Sequence, residues 1–239
     1  MTAPDFSLWV YLARSPLLWL TATLLVYALC DRVAAGLGRH PLANPVLLAI
    51  CLMALLLAVT RTPYGTYFEG AQFIHFLLGP ATVALAIPLY QNRAAVMRAL
   101  LPMAAALLAG SATALVSAVL IARAFGAPAP VLVSIAPKSV TAAVAMGIAE
   151  KLGGDPALSA VLVILTGILG AVIATPLMDA LRIRDQRARG FAAGLAAHGI
   201  GTARAFQENP LAGAFAGIAM GLNALLTALL VPAVLRMVL

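Results

Sequence analysis

Long stretches without a single charged residue constrain this chain more than any other feature. Residues 156–178 and 209–235 contain no Asp, Glu, Lys or Arg, and about 20 apolar residues are enough for a helix to cross a bilayer. Of the 239 residues, 63% are hydrophobic and 10% are charged, which excludes a soluble globular enzyme and a disordered chain. The uncharged blocks are too long for the alternating strands of a membrane β-barrel. We therefore predict an all-α polytopic membrane protein.

Charged residues, prolines and glycines divide the chain into eight apolar segments. We see no linker or soluble domain, so residues 1–239 are predicted to form a single transmembrane domain with about six to eight membrane segments. One of the blocks, 190–203, is too short to span the bilayer alone. The segments are 15–35, 41–60, 70–92, 99–122, 128–152, 156–178, 190–203 and 209–235.

The formal net charge of +7 is explained by arginines in connecting loops. Such residues collect on the cytoplasmic side of membrane proteins, so nucleic-acid binding is not expected. The two cysteines lie in separate apolar segments and have no metal-ligand spacing. Neither a metal site nor a cofactor is predicted. Motifs of hydrolases, zinc proteases and phosphate-binding loops are absent from the sequence, so we do not expect an enzyme.

Three apolar segments contain helix-breaking residues near their centres, which predicts two or three broken or re-entrant helices. The expected breaks lie at Pro80, at Pro137 and at the pair Gly199 and Gly201. The first two resemble each other around the proline, which indicates an internal repeat or a chance similarity in Ala/Val-rich sequence. Transporters use paired broken helices to build a substrate site.

The loop charges provide a test of topology. Arg93 and Arg98 should face the cytoplasm together with the arginines of 182–189, yet three segments separate the two groups. They share a side only if one segment re-enters, and the segment around Pro137 is the obvious candidate. A failure of the orientation rule is the competing explanation.

Each predicted break should create a local preference for an anion. A broken helix exposes backbone N–H groups at the start of the following half-helix, where the helix dipole is positive. Thr82 follows the first break, and Lys138, Ser139 and Thr141 follow the second. A lysine in a span costs about 2.5–3.5 kcal/mol, so Lys138 should have a partner. That partner is a bound carboxylate, unless Lys138 snorkels to an interface or pairs with an acid such as Glu69.

The third break places two glycines between a histidine and an arginine. Glycine permits positive φ and close backbone approach, and an arginine can hold a carboxylate with two hydrogen bonds. We interpret this segment as a further part of the anion site, or else as a loop at the membrane edge with a solvated arginine. Its candidate residues are His198, Gly199, Gly201, Thr202 and Arg204.

Glu69, Gln72 and His75 are spaced three residues apart and would share one helical face. Intramembrane acids and histidines often form proton relays, so these residues are candidates for proton coupling. The alternative is that they are simply hydrogen-bonded near a helix end.

The sequence resembles the LrgB/CidB family of bacterial membrane proteins at three motifs, which occur in the same order as in that family. They are residues 62–67 with 76–90 (TPYGTY and FLLGPATVALAIPLY), residues 136–141 (APKSVT) and residues 198–204 (HGIGTAR). The family was first described as antiholin-like, acting on murein hydrolase activity and cell lysis. It is related to the plant plastidic glycolate/glycerate transporter, and bacterial members are linked to pyruvate uptake.

The resemblance implies a transporter of small monocarboxylates, with an antiholin-like regulator of lysis as the alternative. It also implies a multi-pass protein of the bacterial inner membrane that works beside a smaller LrgA/CidA-type membrane protein. Small residues such as Gly167, Gly170, Gly213 and Gly217 would suit close helix packing within the chain or in a homo-oligomer.

Overall fold

The computed structural model describes residues 15–40, 43–84 and 86–238, which form eleven helices and no strand. The chain divides into two compact units, Met1–Ala84 and Leu85–Leu239. Four of the described helices are long and apolar enough to cross a membrane, and a fifth apolar helix is shorter. The predicted class, an all-α polytopic membrane protein, is confirmed.

The first unit contains the helices α1 (Pro16–Gly36), α2 (Pro45–Thr60) and α3 (Tyr64–Ala84). The α2 helix begins where the Asn44 side chain accepts hydrogen bonds from the amides of Val46 and Leu47, as an N-cap does. Trp19 of α1 is buried and packs edge-to-face on Tyr67 of α3. Helices α1 and α3 are therefore held together by an aromatic contact.

The predicted break at Pro80 is wrong. The α3 helix runs without interruption from Tyr64 to Ala84 and contains Pro80 in its interior. A proline removes one hydrogen bond and kinks a helix, but membrane helices tolerate this loss and continue. No half-helix therefore begins at Pro80, and the expected anion preference at that position has no structural basis.

The second unit is built around three long helices, two of which are followed by an interrupted segment. Its elements are α4 (Ala86–Gln91), α5 (Arg93–Arg98), α6 (Leu100–Ala124), α7 (Ala129–Ile135), α8 (Ala142–Leu152), α9 (Pro156–Ala180), α10 (Gln186–Glu208) and α11 (Pro210–Val238). Helices α6, α9 and α11 are long enough to span a bilayer.

The first interrupted segment doubles back on itself. We call α7, the non-helical residues 136–141 and α8 the first hairpin, and residues 136–141 its tip. The backbone amide of Asp155 donates a 2.8 Å hydrogen bond to the hydroxyl of Ser134, although 21 residues of straight helix would separate them by about 31 Å. The chain therefore enters through α7, turns next to Pro137 and returns through α8. The segment around Pro137 therefore reverses direction instead of continuing as one straight helix.

The second interrupted segment is α10, which also folds back. Ala197 (φ −123°, ψ 16°) and His198 (φ 41°, ψ −132°) have non-helical backbone angles and form the tip of what we call the second hairpin. Its arms are residues 186–196 and 199–208. A Cβ atom placed on Gly201 would lie 2.4 Å from the carbonyl oxygen of Ala193, whereas eight residues of straight helix rise about 12 Å. The two arms therefore pack against each other.

The two hairpins enter from opposite ends of α9. The base of the first hairpin, at Asp155, adjoins the start of α9. The second hairpin is attached near the end of α9, because Arg189 pairs with Asp179 at 2.6 Å and Thr175 donates a hydrogen bond to Glu208. Two short hairpins thus point toward each other from the two ends of a helix that is long enough to cross a membrane.

The structure also shows on which end of the second unit the two groups of arginines lie. Arg98, which precedes α6, and Arg187, at the base of the second hairpin, line one cavity. The two arginine groups of this unit therefore lie at the same end, as the re-entrant alternative requires. At that end Asp185 caps α10, and the guanidinium of Arg187 holds the pKa of the Asp185 carboxyl below its usual value through a hydrogen bond.

Candidate functional site

The tips of both hairpins meet the same stretch of α9. Val140 of the first tip packs with Val163 in a buried apolar cluster, and Nε2 of His198 lies 2.9 Å from the carbonyl oxygen of Val163. A Cβ atom on Gly167 would lie 2.5 Å from the His198 ring, so only glycine leaves room for the imidazole there. Both tips therefore pack against the same part of the long apolar helix α9.

Asn223, in the middle of α11, joins the two tips directly. Its side chain is buried, with 1% exposure, and its amide nitrogen donates 3.0 Å hydrogen bonds to the carbonyl oxygens of Ser139 and Leu195. Its amide oxygen accepts from the hydroxyls of Ser111 at 2.6 Å and Thr227 at 3.2 Å. One amide side chain therefore bonds the first tip and the last residues before the second tip.

Three of the residues predicted after Pro137 lie in the first tip or at the start of α8. Nζ of Lys138 lies 3.3 Å from the hydroxyl of Ser139, which is buried. Thr141 occupies the N-cap of α8, but its side chain makes no capping hydrogen bond. The first amides of α8 are therefore not capped by this hydroxyl and, with Lys138, give the first tip a positive character.

Of the predicted residues of the third motif, His198 lies in the second tip and Thr202 lies on the second arm next to it. His198 and Thr202 are buried, and the Thr202 hydroxyl donates a 2.8 Å hydrogen bond to the carbonyl oxygen of His198. A non-glycine residue at positive φ is strained, and such strain concentrates at functional sites. The residue that takes positive φ is His198 and not a neighbouring glycine.

Gly199 and Gly201 do not provide the positive φ that was expected of them at the break. Neither Gly199 nor Gly201 has positive φ. Around Gly199 an added Cβ atom would meet only the sulfur of Met220, at 3.9 Å, whereas Gly201 is tightly enclosed by the first arm of the hairpin. Gly201 serves the close packing of the two arms, and the reversal itself takes place one residue before Gly199.

Arg204 lies farther from the tip than the other residues of its motif. Its Nε atom is 3.1 Å from the Glu208 carboxylate, and both side chains are mostly buried. Arg204 and Glu208 line a cavity of about 20 Å³ together with Thr175 of α9. The structure therefore places Arg204 in an ion pair on the second arm and does not bring it to the first tip.

The predicted proton-handling residues and Thr82 belong to the first unit. Glu69 and Gln72 are exposed on α3, and the Gln72 side chain donates a 2.8 Å hydrogen bond to the carbonyl oxygen of Glu69. The side chains of His75 and Thr82 lie outside the described residues. Proton coupling through these residues stays a prediction.

Sequence reasoning missed Ser111, Asn223 and Thr227. All three are buried polar residues in apolar helices. A single asparagine in a long apolar span is a detectable signal, because an unpaired amide inside a membrane costs several kcal/mol. What it bonds to could be found only from the fold.

Comparison with known proteins gives a single family. The model of the LrgB-like family matches residues 23–237. Two Bacillus subtilis proteins named as uncharacterized are similar: YxaC is 36% identical over 78% of this chain and 81% of its own length. YwbG is 35% identical over 86% of this chain and 91% of its own length.

The "Holin-like protein CidB" of Staphylococcus aureus is 31% identical over 90% of this chain and 94% of its own length. No solved structure matches the chain.

Proposed function

Because this chain belongs to the LrgB-like family, we propose that it transports small monocarboxylate anions of the glycolate, glycerate and pyruvate class. The observation that carries the proposal is the meeting of two opposed hairpin tips inside the protein. Paired broken helices with their positive ends facing an anionic group are a recurrent design of secondary transporters. The breaks responsible are those at Pro137 and His198.

The anion site that we propose lies between the two tips. Lys138 supplies the positive charge, and the uncapped start of α8 supplies backbone N–H groups. Ser139 at the first tip and Thr202 next to the second tip contribute hydroxyls. His198 completes the site at the second tip. Arg204 is left out of this set because its ion pair with Glu208 holds it on the second arm.

Uptake of radiolabelled glycolate, glycerate and pyruvate into proteoliposomes tests the proposal. We expect Lys138→Ala to abolish uptake in a protein that remains folded, since the substrate charge loses its partner. Lys151→Ala is the matched control, because Lys151 lies on the same hairpin, at the exposed end of α8, and should retain wild-type uptake. Uptake by Lys138→Ala at wild-type rate and affinity would refute the site.

Binding can be tested separately from transport. A carboxylate that binds only the folded protein raises its melting temperature, by about 2.7 kcal/mol of stabilisation at 100 times Kd. Glycolamide has the size of glycolate but no charge, so it should give no shift. Equal protection by the acid and the amide would contradict an anion site.

The second candidate function is holin-like or antiholin-like control of murein hydrolase activity and lysis. It is favoured by the name of the CidB relatives. Such a role needs surfaces for oligomerisation but no buried anion site. A lysis phenotype that is unchanged in the Lys138→Ala variant would support it.

In either role we propose a multi-pass protein of the bacterial cytoplasmic membrane. We further propose that it acts beside a smaller LrgA/CidA-type membrane protein and forms homo-oligomers. Co-purification of the two proteins in detergent tests the first pairing.

A further inference from the structure

Asn223 has a role that the proposed function does not assign to it. It lies in a stretch of α11 with no charged residue and has 1% exposure. A side-chain amide has two donors and an acceptor oxygen with two lone pairs. All four are used, by Ser139, Leu195, Ser111 and Thr227. So complete a set of partners indicates a residue that organises its surroundings.

Asn223 donates to two carbonyl groups that lie at or next to the breaks, where the regular helical pattern of hydrogen bonds is interrupted. In a straight helix the carbonyl of Leu195 would accept from the amide of Gly199, but the reversal at Ala197 and His198 interrupts that pattern. The carbonyl of Ser139 lies in the non-helical first tip. Inside a membrane such groups need partners within the protein, and Asn223 serves both tips with one nitrogen.

The orientation of the Asn223 amide is fixed from the opposite side. Its oxygen accepts from the hydroxyls of Ser111 and Thr227, and both of these residues are buried. Turning the amide over would point its N–H groups at these hydroxyls and its oxygen at two carbonyls. The NH2 group must therefore face the tips.

We propose that Asn223 is a positioning residue that holds the two hairpin tips in register and so builds the anion site between them. The inference rests on the proposed transport function. Asn223 binds backbone atoms of Leu195 and of Ser139, the neighbour of Lys138, and is not expected to touch the substrate. It makes the two hairpins, which enter from opposite ends, act as one unit.

The test compares Asn223→Leu and Asn223→Asp with the control Thr227→Val. The leucine variant removes both donors at similar size, and the aspartate variant keeps the acceptor for Ser111. Thr227→Val removes one bond to the amide oxygen and leaves both carbonyl bonds in place. All variants are purified as the full chain in detergent and checked for monodispersity.

The first measurement is backbone hydrogen exchange in peptides that cover the two tips. We expect both Asn223 variants to exchange about tenfold faster or more at both tips, because two buried hydrogen bonds are lost, while α9 stays protected. Thr227→Val should change exchange by less than about threefold. Unchanged exchange at either tip in Asn223→Leu would overturn the role of Asn223 as a link between them. The aspartate variant decides the same point if the leucine variant does not fold.

The second measurement is the uptake of glycolate, glycerate and pyruvate. We expect the apparent KM to rise by about tenfold or more in the Asn223 variants, with a smaller change in the maximal rate. Faster exchange with an unchanged KM would overturn the positioning role. If the wild-type protein neither binds nor transports a monocarboxylate, the transport proposal fails and the positioning role fails with it. The exchange data still show whether Asn223 holds the tips together.

Discussion

Replacing two neighbouring glycines by alanine tests the hairpin geometry of α10 most directly. Gly199 and Gly201 lie two residues apart on the second arm, yet their surroundings differ. A Cβ atom on Gly201 would lie 2.4 Å from the carbonyl oxygen of Ala193 and 2.6 Å from the Cβ atom of Ala197. On Gly199 it would meet only the Met220 sulfur, at an ordinary contact distance of 3.9 Å.

The size of the stability loss depends on whether the atoms around each added Cβ can move away. The obstacles around Gly201 are a backbone oxygen and a Cβ atom, which cannot rotate away, so the two arms must separate by about 1 Å to restore normal contact. Overpacking of this kind costs about 1–3 kcal/mol, and the better helix propensity of alanine offsets up to about 1 kcal/mol of it. We expect Gly201→Ala to lose about 1–2 kcal/mol of stability. Gly199→Ala meets no such obstacle, so its stability should stay the same or rise by up to about 1 kcal/mol through the helix propensity of alanine.

Thermal unfolding of the purified protein in detergent provides the measurement. A change of 1 kcal/mol shifts the midpoint by about 2–4 °C in a protein of this size. Gly201→Ala should therefore melt about 2–8 °C below the wild type, and Gly199→Ala should melt at the wild-type temperature or up to about 4 °C above it. If both variants melt at the same temperature, the two arms of α10 do not pack as the structure shows and the second hairpin is refuted.

Two further predictions concern the first hairpin and the orientation of the chain. Ser134→Ala should lose about 0.5–1.5 kcal/mol, because the backbone amide of Asp155 loses the acceptor that the buried Ser134 hydroxyl provides. Ser159→Ala, where the buried hydroxyl has no hydrogen-bond partner among the described residues, should be neutral in the same melting experiment, and equal losses would contradict the hairpin closure. In a variant without its two native cysteines, a cysteine at Gly126 should react with an impermeant maleimide from outside intact cells. A cysteine at Gln186 should react only after permeabilisation, and the reverse pattern would show that the orientation rule fails here.

Several features of the fold could be predicted because they depend on short-range chemistry. Apolar stretches of about 20 residues indicate membrane helices whatever the rest of the chain does. The break next to Pro137 was found because proline and lysine occur together in an apolar segment. The arginine groups indicated that this segment re-enters, with a failure of the orientation rule as the alternative.

The same local reasoning was wrong at Pro80 and imprecise at the second tip. Proline permits a break and does not compel one, so α3 continues through Pro80 while the chain reverses at His198, where there is no proline. The glycines marked the region of the reversal. They could not show which residue takes the strained conformation, because Gly167 on a distant helix makes the room for His198.

The sequence by itself determined the class of protein, the positions of most helices and the residues that carry charge into the apolar interior. Only the tertiary structure decided that the two interrupted segments face each other and that Asn223 joins them. Asn223 lies 84 residues from Ser139 and 28 residues from Leu195. Helix length and hydropathy are properties of neighbouring residues. The donors that satisfy the carbonyls of a broken helix come from elsewhere in the chain, so the fold alone decides which residue provides them.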